Sequence, residues 1–355
     1  MPTNRYGLTD TLLPCELFWR DNYNHILQHG YKLRTRYHPD WVPSWKSFGA
    51  FWAEDRLQIP SFRGAVNDAR RCADDARVVL KRVDLKELAV LQYMRSLPST
   101  PQNRTVPVLD VIHLQNPKWV LIVMPFLGRF YKPPFQRLDE VIYALHQIMT
   151  GIAFMHSHNV AHRYACYPSV RSLRSDSYQG CLFVELDTSE LIPSGFHFCS
   201  SDLTPDMKHR IKPRSRFAVN VPYYIIDLEF SMVHPGPQQA LDHVGQDKTV
   251  PEYKNNDPYD PFKLDIYQVG NMIRRDFLAL YVGLDVLTPI AEAMTCETPT
   301  DRPTASEVVR ALELIANVHT ENFWIHLKSA KFWTKKKVQF RNKIRGYPDL
   351  SCWRK

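Results

Sequence analysis

Apolar residues in this chain change period part-way along its length. Arg77-Val78-Val79-Leu80-Lys81-Arg82-Val83 alternates and is β-branched, which predicts a strand with one buried face. Glu87 to Leu97 then reads as a helix. A second strand is predicted at Trp119-Val120-Leu121-Ile122-Val123, ending at Met124-Pro125, where proline removes a backbone donor and stops the ladder. Beyond this point Leu138, Val141, Ile142, Leu145, Ile148, Met149 and Ile152 share one helical face, the mark of a long core helix. Thr304-Ala305-Ser306-Glu307 is a capping-box pattern that opens another helix through Val308, Val309, Leu312 and Ile315. The pattern therefore predicts an α+β protein, β-rich first and mainly helical afterwards.

Two stretches fall outside these periods. Residues 1–60 are dense in Trp, Tyr and Pro, as in Trp41-Val42-Pro43-Ser44-Trp45, and predict a packed extension. Between Leu173 and Pro222 lies a segment rich in Ser, Asp, Arg and Pro, for which a surface excursion over about 174–222 is expected.

Composition narrows the class. With 355 residues, 44% of them hydrophobic, the chain can bury one large core or two smaller ones. Its seven cysteines are scattered, without a C-x-x-C pair, so reduced thiols in an intracellular protein, cytoplasmic or nuclear, are expected. No signal-peptide pattern opens the chain, and the longest apolar run, Trp119 to Leu127, is about half of what a membrane helix needs. The net charge of +8 is concentrated: residues 328–355 hold ten Lys or Arg against the single acid Asp349, leaving the remainder near neutral. Such a tail suits an anionic partner, while no DNA-binding motif is present.

The order of several short motifs resembles the protein kinases. Val78-Val79-Leu80-Lys81 matches the V-A-I-K strand, Met124 falls at the gatekeeper position, His162-Arg163-Tyr164 at H-R-D, and Asp227-Leu228-Glu229 at D-F-G. Val250-Pro251-Glu252 resembles the A-P-E end of an activation segment, 25 residues after Asp227. Asp265-Ile266-Tyr267-Gln268-Val269-Gly270 resembles the aspartate-led central helix, and Asp301-Arg302-Pro303-Thr304 the late motif whose arginine pairs with the A-P-E glutamate. Segments such as YKLRTRYHPDWVPSW and DKTVPEY are similar in wording to a group of fungal kinase-like proteins. The resemblance covers about residues 62–318. It implies a two-lobed fold: an extension at 1–60, a small β-rich N-lobe at 61–127, a mainly α-helical C-lobe at 128–320 carrying the insertion, and a basic tail at 321–355.

The resemblance also implies a site and what is missing from it. Phosphoryl transfer needs a lysine on the phosphates, a glutamate to hold it, magnesium ligands and a carboxylate that accepts the substrate proton. Lys81 supplies the first, Glu87 is the candidate for the second though only six residues away, and Asp227 keeps one magnesium position. Met124 and Phe126 would face the base of a nucleotide. His162, Arg163, Glu252, Asp265 and Arg302 fall at positions of architecture. The proton acceptor, however, is Tyr164, whose phenol is neutral at pH 7. Ser169 stands at the metal-binding asparagine, Cys166 at the helper position, and Glu229 at the D-F-G glycine. The glycine-rich loop is reduced to Phe62-Arg63-Gly64-Ala65-Val66-Asn67-Asp68-Ala69, with Arg63, Arg70 and Arg71 as the nearby charges.

These losses lead to the expectation of a pseudokinase: a kinase-shaped binding or scaffold protein with protein partners, whose ATP and magnesium binding is weak or absent. Two alternatives stay open. One is a divergent active serine/threonine kinase that transfers the ATP γ-phosphate using Asp187, Asp202 or Asp206 as base. The other is a nucleic-acid or membrane-binding module directed by Lys335, Lys336, Lys337, Arg341, Lys343 and Arg345, interleaved with Phe332, Trp333 and Phe340.

Overall fold

A computed structural model describes residues 11–48, 53–59, 64–163, 184–233, 247, 249–254, 258–318, 323–327 and 335–339. The chain is mixed α+β and divides into two units. The first comprises Met1–Arg95, Val106–Gly128 and Asp187–Arg214; the second comprises Ser96–Thr105, Arg129–Leu186 and Ser215–Lys355. Among the described residues no helix is long and apolar enough to cross a membrane.

The first unit is built on a five-stranded antiparallel sheet. Its strands are β1 (Tyr31–Leu33), β2 (Val66–Arg71), β3 (Arg77–Asp84), β4 (Asp110–His113) and β5 (Trp119–Pro125), in the order β1-β2-β3-β5-β4. The alternation read from the sequence sorts β3 into two faces. Val78 and Leu80 go to one face and are 1% and 0% exposed, while Arg77, Val79 and Lys81 go to the other. Register fixes the neighbours on that second face: Lys81 lies opposite Val66 and Ile122, and Val79 opposite Asp68 and Met124. The helix Leu85–Ser96 starts directly after β3, its first turn held by the Glu87 N–H donating to Asp84 Oδ1 at 2.8 Å. The tight β2–β3 connection places Asp75 at φ 56, and the ion pairs Arg71–Asp74 and Arg70–Asp75 brace it.

The aromatic extension is packed, as its composition suggested. Trp19, Tyr23, Tyr31 and Tyr37 are all buried, and the Trp19 indole N–H donates to the Gly64 carbonyl at 3.0 Å. The segment expected as a surface excursion is corrected by the structure. Within it, Leu191, Ile192, Phe196, His197, Phe198 and Met207 are buried, and residues 187–214 belong to the first unit. Their polar composition hid them: apolar residues spaced irregularly among Ser, Asp and Pro carry no period, yet each can still fill a pocket in a folded core.

The second unit is organised by the helix Leu138–Ser157, which packs against Ala305–Asn317. Thr304 caps the latter, its hydroxyl accepting from the Glu307 N–H while the Glu307 carboxylate accepts from the Thr304 N–H at 2.7 Å. A short antiparallel pair, Val184–Leu186 with Tyr223–Ile225, lies beside the long helix. The helix Pro261–Met272 is opened by Asp260, which accepts from the Phe262 and Lys263 N–H groups, and runs into a π-helical turn over Ile273–Leu278.

Gly270 lets Pro261–Met272 meet Thr288–Met294 closely. A Cβ there would lie 2.6 Å from Met294 Cβ and 3.0 Å from Thr295 Cγ2. Gly270→Ala is therefore expected to cost about 1–3 kcal/mol through overpacking, read as a lower denaturation midpoint. An unchanged midpoint would mean that the two helices part without cost.

Candidate functional site

In the first unit, Lys81 and Glu87 meet. Lys81 Nζ donates to Glu87 Oε1 at 2.6 Å, with side chains 14% and 4% exposed. Six residues suffice because β3 ends at Asp84 and the helix begins at once, folding Glu87 back beside the strand face that carries Lys81. A charge pair so far withdrawn from water is held by geometry as much as by attraction.

The rest of that face is filled by the chain itself. Met124 and Val79 are 9% and 8% exposed. Arg77, two residues before Val79 on the same face, lays its guanidinium 3.5 Å from the centroid of the Phe126 ring and donates to the Phe196 carbonyl. Phe126 also meets Phe196 at 5.0 Å and Phe198 at 6.3 Å. Asp68, opposite Val79 on β2, faces Arg34 at 3.3 Å and Arg77 at 3.7 Å. Phe126, read as a nucleotide contact, thus has its ring occupied by an arginine and two phenylalanines of this chain.

An ionic network anchors the covering segment. His197 Nδ1 accepts from the Cys199 N–H, so Nε2 carries the proton and donates to Glu54 Oε1 at 2.7 Å. Arg34 donates to Glu54 Oε1 at 3.2 Å and to the Leu57 carbonyl at 3.1 Å. Burial works to raise the Glu54 carboxyl, but the His197 hydrogen bond and the Arg34 charge prevail and hold it at about 2. Burial, joined by the Asp68, Glu54 and Glu16 charges and opposed by Arg34, pushes the Cys199 thiol up to about 11, leaving it unreactive. Sequence reasoning missed Arg34, Glu54, Arg77, Phe196 and His197. Only Arg77 had a local signal, its shared strand face with Lys81.

In the second unit, Asp265 is a hub. It is 0% exposed, and its carboxylate accepts from the His162 N–H at 2.8 Å and the Arg163 N–H at 2.6 Å, with His156 Nε2 at 2.9 Å. The His162 ring donates through Nε2 to the Ile226 carbonyl at 3.0 Å, immediately before Asp227. Asp227 takes the left-handed conformation at φ 63, ψ 61, and Leu228–Phe230 closes into a 3₁₀ turn with Leu228 fully buried. Leu228 and Glu229 therefore stand in a tight turn directly after a left-handed residue. Glu252 and Arg302 form a bidentate pair at 2.5 and 2.9 Å, their side chains 5% and 0% exposed.

Tyr164, Cys166 and Ser169 lie outside the described residues, as do Arg63 and most of the basic tail. Arg70 and Arg71 are engaged by Asp75 and Asp74, at 2.6 and 2.7 Å. Two of the carboxylates considered as substitute bases hold their own turns: Asp187 accepts from the Ser189 N–H, and Asp206 from the Thr204 hydroxyl and the Lys208 N–H. The Thr204 bond is the first cause of the lowered Asp206 pKa. Among the described residues no three His, Cys, Asp or Glu side chains gather as a metal site would require.

No protein-family model matches the chain, and no curated protein matches it either.

Proposed function

We propose that this chain is a protein-kinase-like protein that does not transfer phosphate and acts instead as an intracellular binding or scaffold protein. In this reading the unit with the five-stranded sheet corresponds to the small lobe and the helical unit to the large one. Support for the kinase-like part comes from two pairs that the motif order names, Lys81 with Glu87 and Glu252 with Arg302, and from the joining of two of the motifs where Asp265 accepts from the His162-Arg163 backbone. Seven motifs in family order and two matched pairings agree across levels, which a chance match of short strings does not.

The observation that carries the inactive part is the filled sheet face beside Lys81. A nucleotide base would lie on Val79, Met124 and Phe126 in such a fold, and the Phe126 ring is already packed by Arg77, Phe196 and Phe198, with Val79 and Met124 themselves buried. This packing argues against ATP with magnesium binding there. The replacement of the proton-accepting aspartate by Tyr164 argues the same way, because general-base assistance is worth about 10²–10⁴ in rate. The Lys81–Glu87 pair is the one observation that favours the alternative, a divergent active kinase.

A thermal-shift titration of the full chain with ATP, with and without magnesium, decides between them. Ligand that binds only the native state raises the melting temperature, by about 2.7 kcal/mol of added stability at a hundred times its Kd. No shift at millimolar ATP is expected. A magnesium-dependent rise of several degrees that disappears in both Lys81→Ala and Asp227→Ala would overturn the proposal.

A further inference from the structure

Eight arginines of the described structure meet a carboxylate: Arg20, Arg34, Arg36, Arg70, Arg71, Arg77, Arg137 and Arg302 all lie within ion-pair distance of one. Arg274 and Arg275 are different. Consecutive in the π-helical turn that follows Pro261–Met272, they line one groove of about 360 Å³ together with Thr249, Tyr267 and Asn271. Among the described residues neither has an ion-pair partner. Arg274 makes one long hydrogen bond, from Nη1 to Thr295 Oγ1 at 3.4 Å.

The floor of the groove is rigid and polar. Tyr267 donates its hydroxyl to the Thr249 carbonyl at 2.9 Å. Asn271 donates from Nδ2 to Asp247 Oδ2 at 2.6 Å and to Thr249 Oγ1 at 2.9 Å, and Thr249 donates in turn to Asp247 Oδ1. The Asp247 carboxylate is thus engaged by its neighbours, is 3% exposed and is not part of the lining. One turn before Asn271, the Gln268 side chain is 1% exposed and neither end of its amide has a hydrogen-bond partner among the described residues. A π-turn is a costly local departure from the helix and is found most often where it serves a site.

We propose that this groove binds an anionic side chain, carboxylate or phosphoryl, on a peptide segment of a protein partner. Two guanidinium groups lining one groove supply planar, multi-donor hydrogen bonding that suits such an anion, and among the described residues neither is paired with an acid. The volume accommodates a side chain rather than a folded element. The inference names a partner class for the scaffold role and rests on that reading, yet the two fail separately: ATP binding would overturn the first without touching the groove.

The test is fluorescence anisotropy of the full chain with a labelled octaglutamate peptide, with octalysine and a Gly-Ser octapeptide as comparisons. Octaglutamate is expected to bind, more weakly as salt rises, and Arg274→Gln/Arg275→Gln is expected to weaken it about tenfold or more. Circular dichroism and an unchanged melting temperature establish that the variant is folded, and Arg274→Lys/Arg275→Lys should retain part of the affinity. Lys335→Gln/Lys336→Gln/Lys337→Gln should bind as the parent does, which separates the groove from the basic tail. Competition by inorganic phosphate as strong as by unlabelled peptide would mean a free-anion site, and overturns the peptide assignment. Equal binding of the Gly-Ser peptide, no binding of octaglutamate, or loss with the tail substitutions but not the arginine ones would also overturn the proposal.

Discussion

Replacing Arg302 with alanine is expected to destabilise the helical unit by about 3–5 kcal/mol. Arg302 is 2% exposed as a residue, and its guanidinium serves five acceptors at once: both Glu252 oxygens and the carbonyls of Cys296, Lys263 and Glu297. It also lies 4.8 Å from the centroid of the Tyr267 ring. Its removal leaves the Glu252 carboxylate withdrawn from water without its partner, and desolvation makes that cost larger than the pair's own contribution. The double variant Glu252→Leu/Arg302→Met should therefore recover much of the loss, since it removes both charges and keeps volume. Denaturant unfolding followed by far-ultraviolet circular dichroism reads this. A loss below about 1 kcal/mol for Arg302→Ala, the range of an exposed pair, would show that water reaches Glu252.

Arg36→Ala is expected to have an effect of the same size in the other unit, about 3–5 kcal/mol. Arg36 and Glu16 are both 0% exposed, bound by two contacts of 2.9 Å. Glu16 further accepts from the Leu13 and Ile59 N–H groups and the Tyr37 hydroxyl, and Arg36 donates its remaining arm to the Asp55 carbonyl. One pair thus ties the first helix, Pro14–Asp21, to the turn at Thr35–Tyr37 and to the segment that holds Asp55 and Ile59. Burial pushes the Glu16 carboxyl up, and the Arg36 bond and the backbone donors more than reverse it, so it titrates below its ordinary 4.5. A carboxyl depressed in this way contributes stability that is complete above its unfolded value and lost as the pH falls through the lower folded value. Without Arg36 burial is less opposed, the carboxyl moves upward, and acid favours the variant relative to the parent. The stability gap should narrow as the pH drops below about 5. Tryptophan fluorescence is the suitable probe, since Trp19, Trp41, Trp45 and Trp119 all belong to this unit. A gap that widens in acid would contradict the assignment of Glu16 as the stranded charge.

These two pairs differ in how they can be found. Glu252 and Arg302 are 50 residues apart, and the motif order alone pointed to their meeting. Glu16 and Arg36 stand in no motif, and neither residue type in its local context marks a buried ion pair. Lys81 and Glu87 lie between these cases: the residues were named as candidates, but their contact depended on the helix starting at Leu85 without a connecting loop.

By itself, the sequence determined the local elements. Alternation set β3 as a strand and put Lys81 and Val79 on one face; a 3.6-residue period set Leu138–Ser157; the Thr304-to-Glu307 spacing set the start of the Ala305–Asn317 helix. Each of these signals repeats or closes within a few residues, so it is written wherever the chain is read. The tertiary structure alone decided that residues 187–214 join the first unit, that Arg77 finds Phe196 across 119 positions, and that Arg274 and Arg275 share a groove with no acid among its described lining residues. Loop closure costs grow only logarithmically with length, so contacts at such separations are thermodynamically open to many residues. Which of them form is settled by packing and by the need to neutralise buried charge, and neither leaves a period in the sequence.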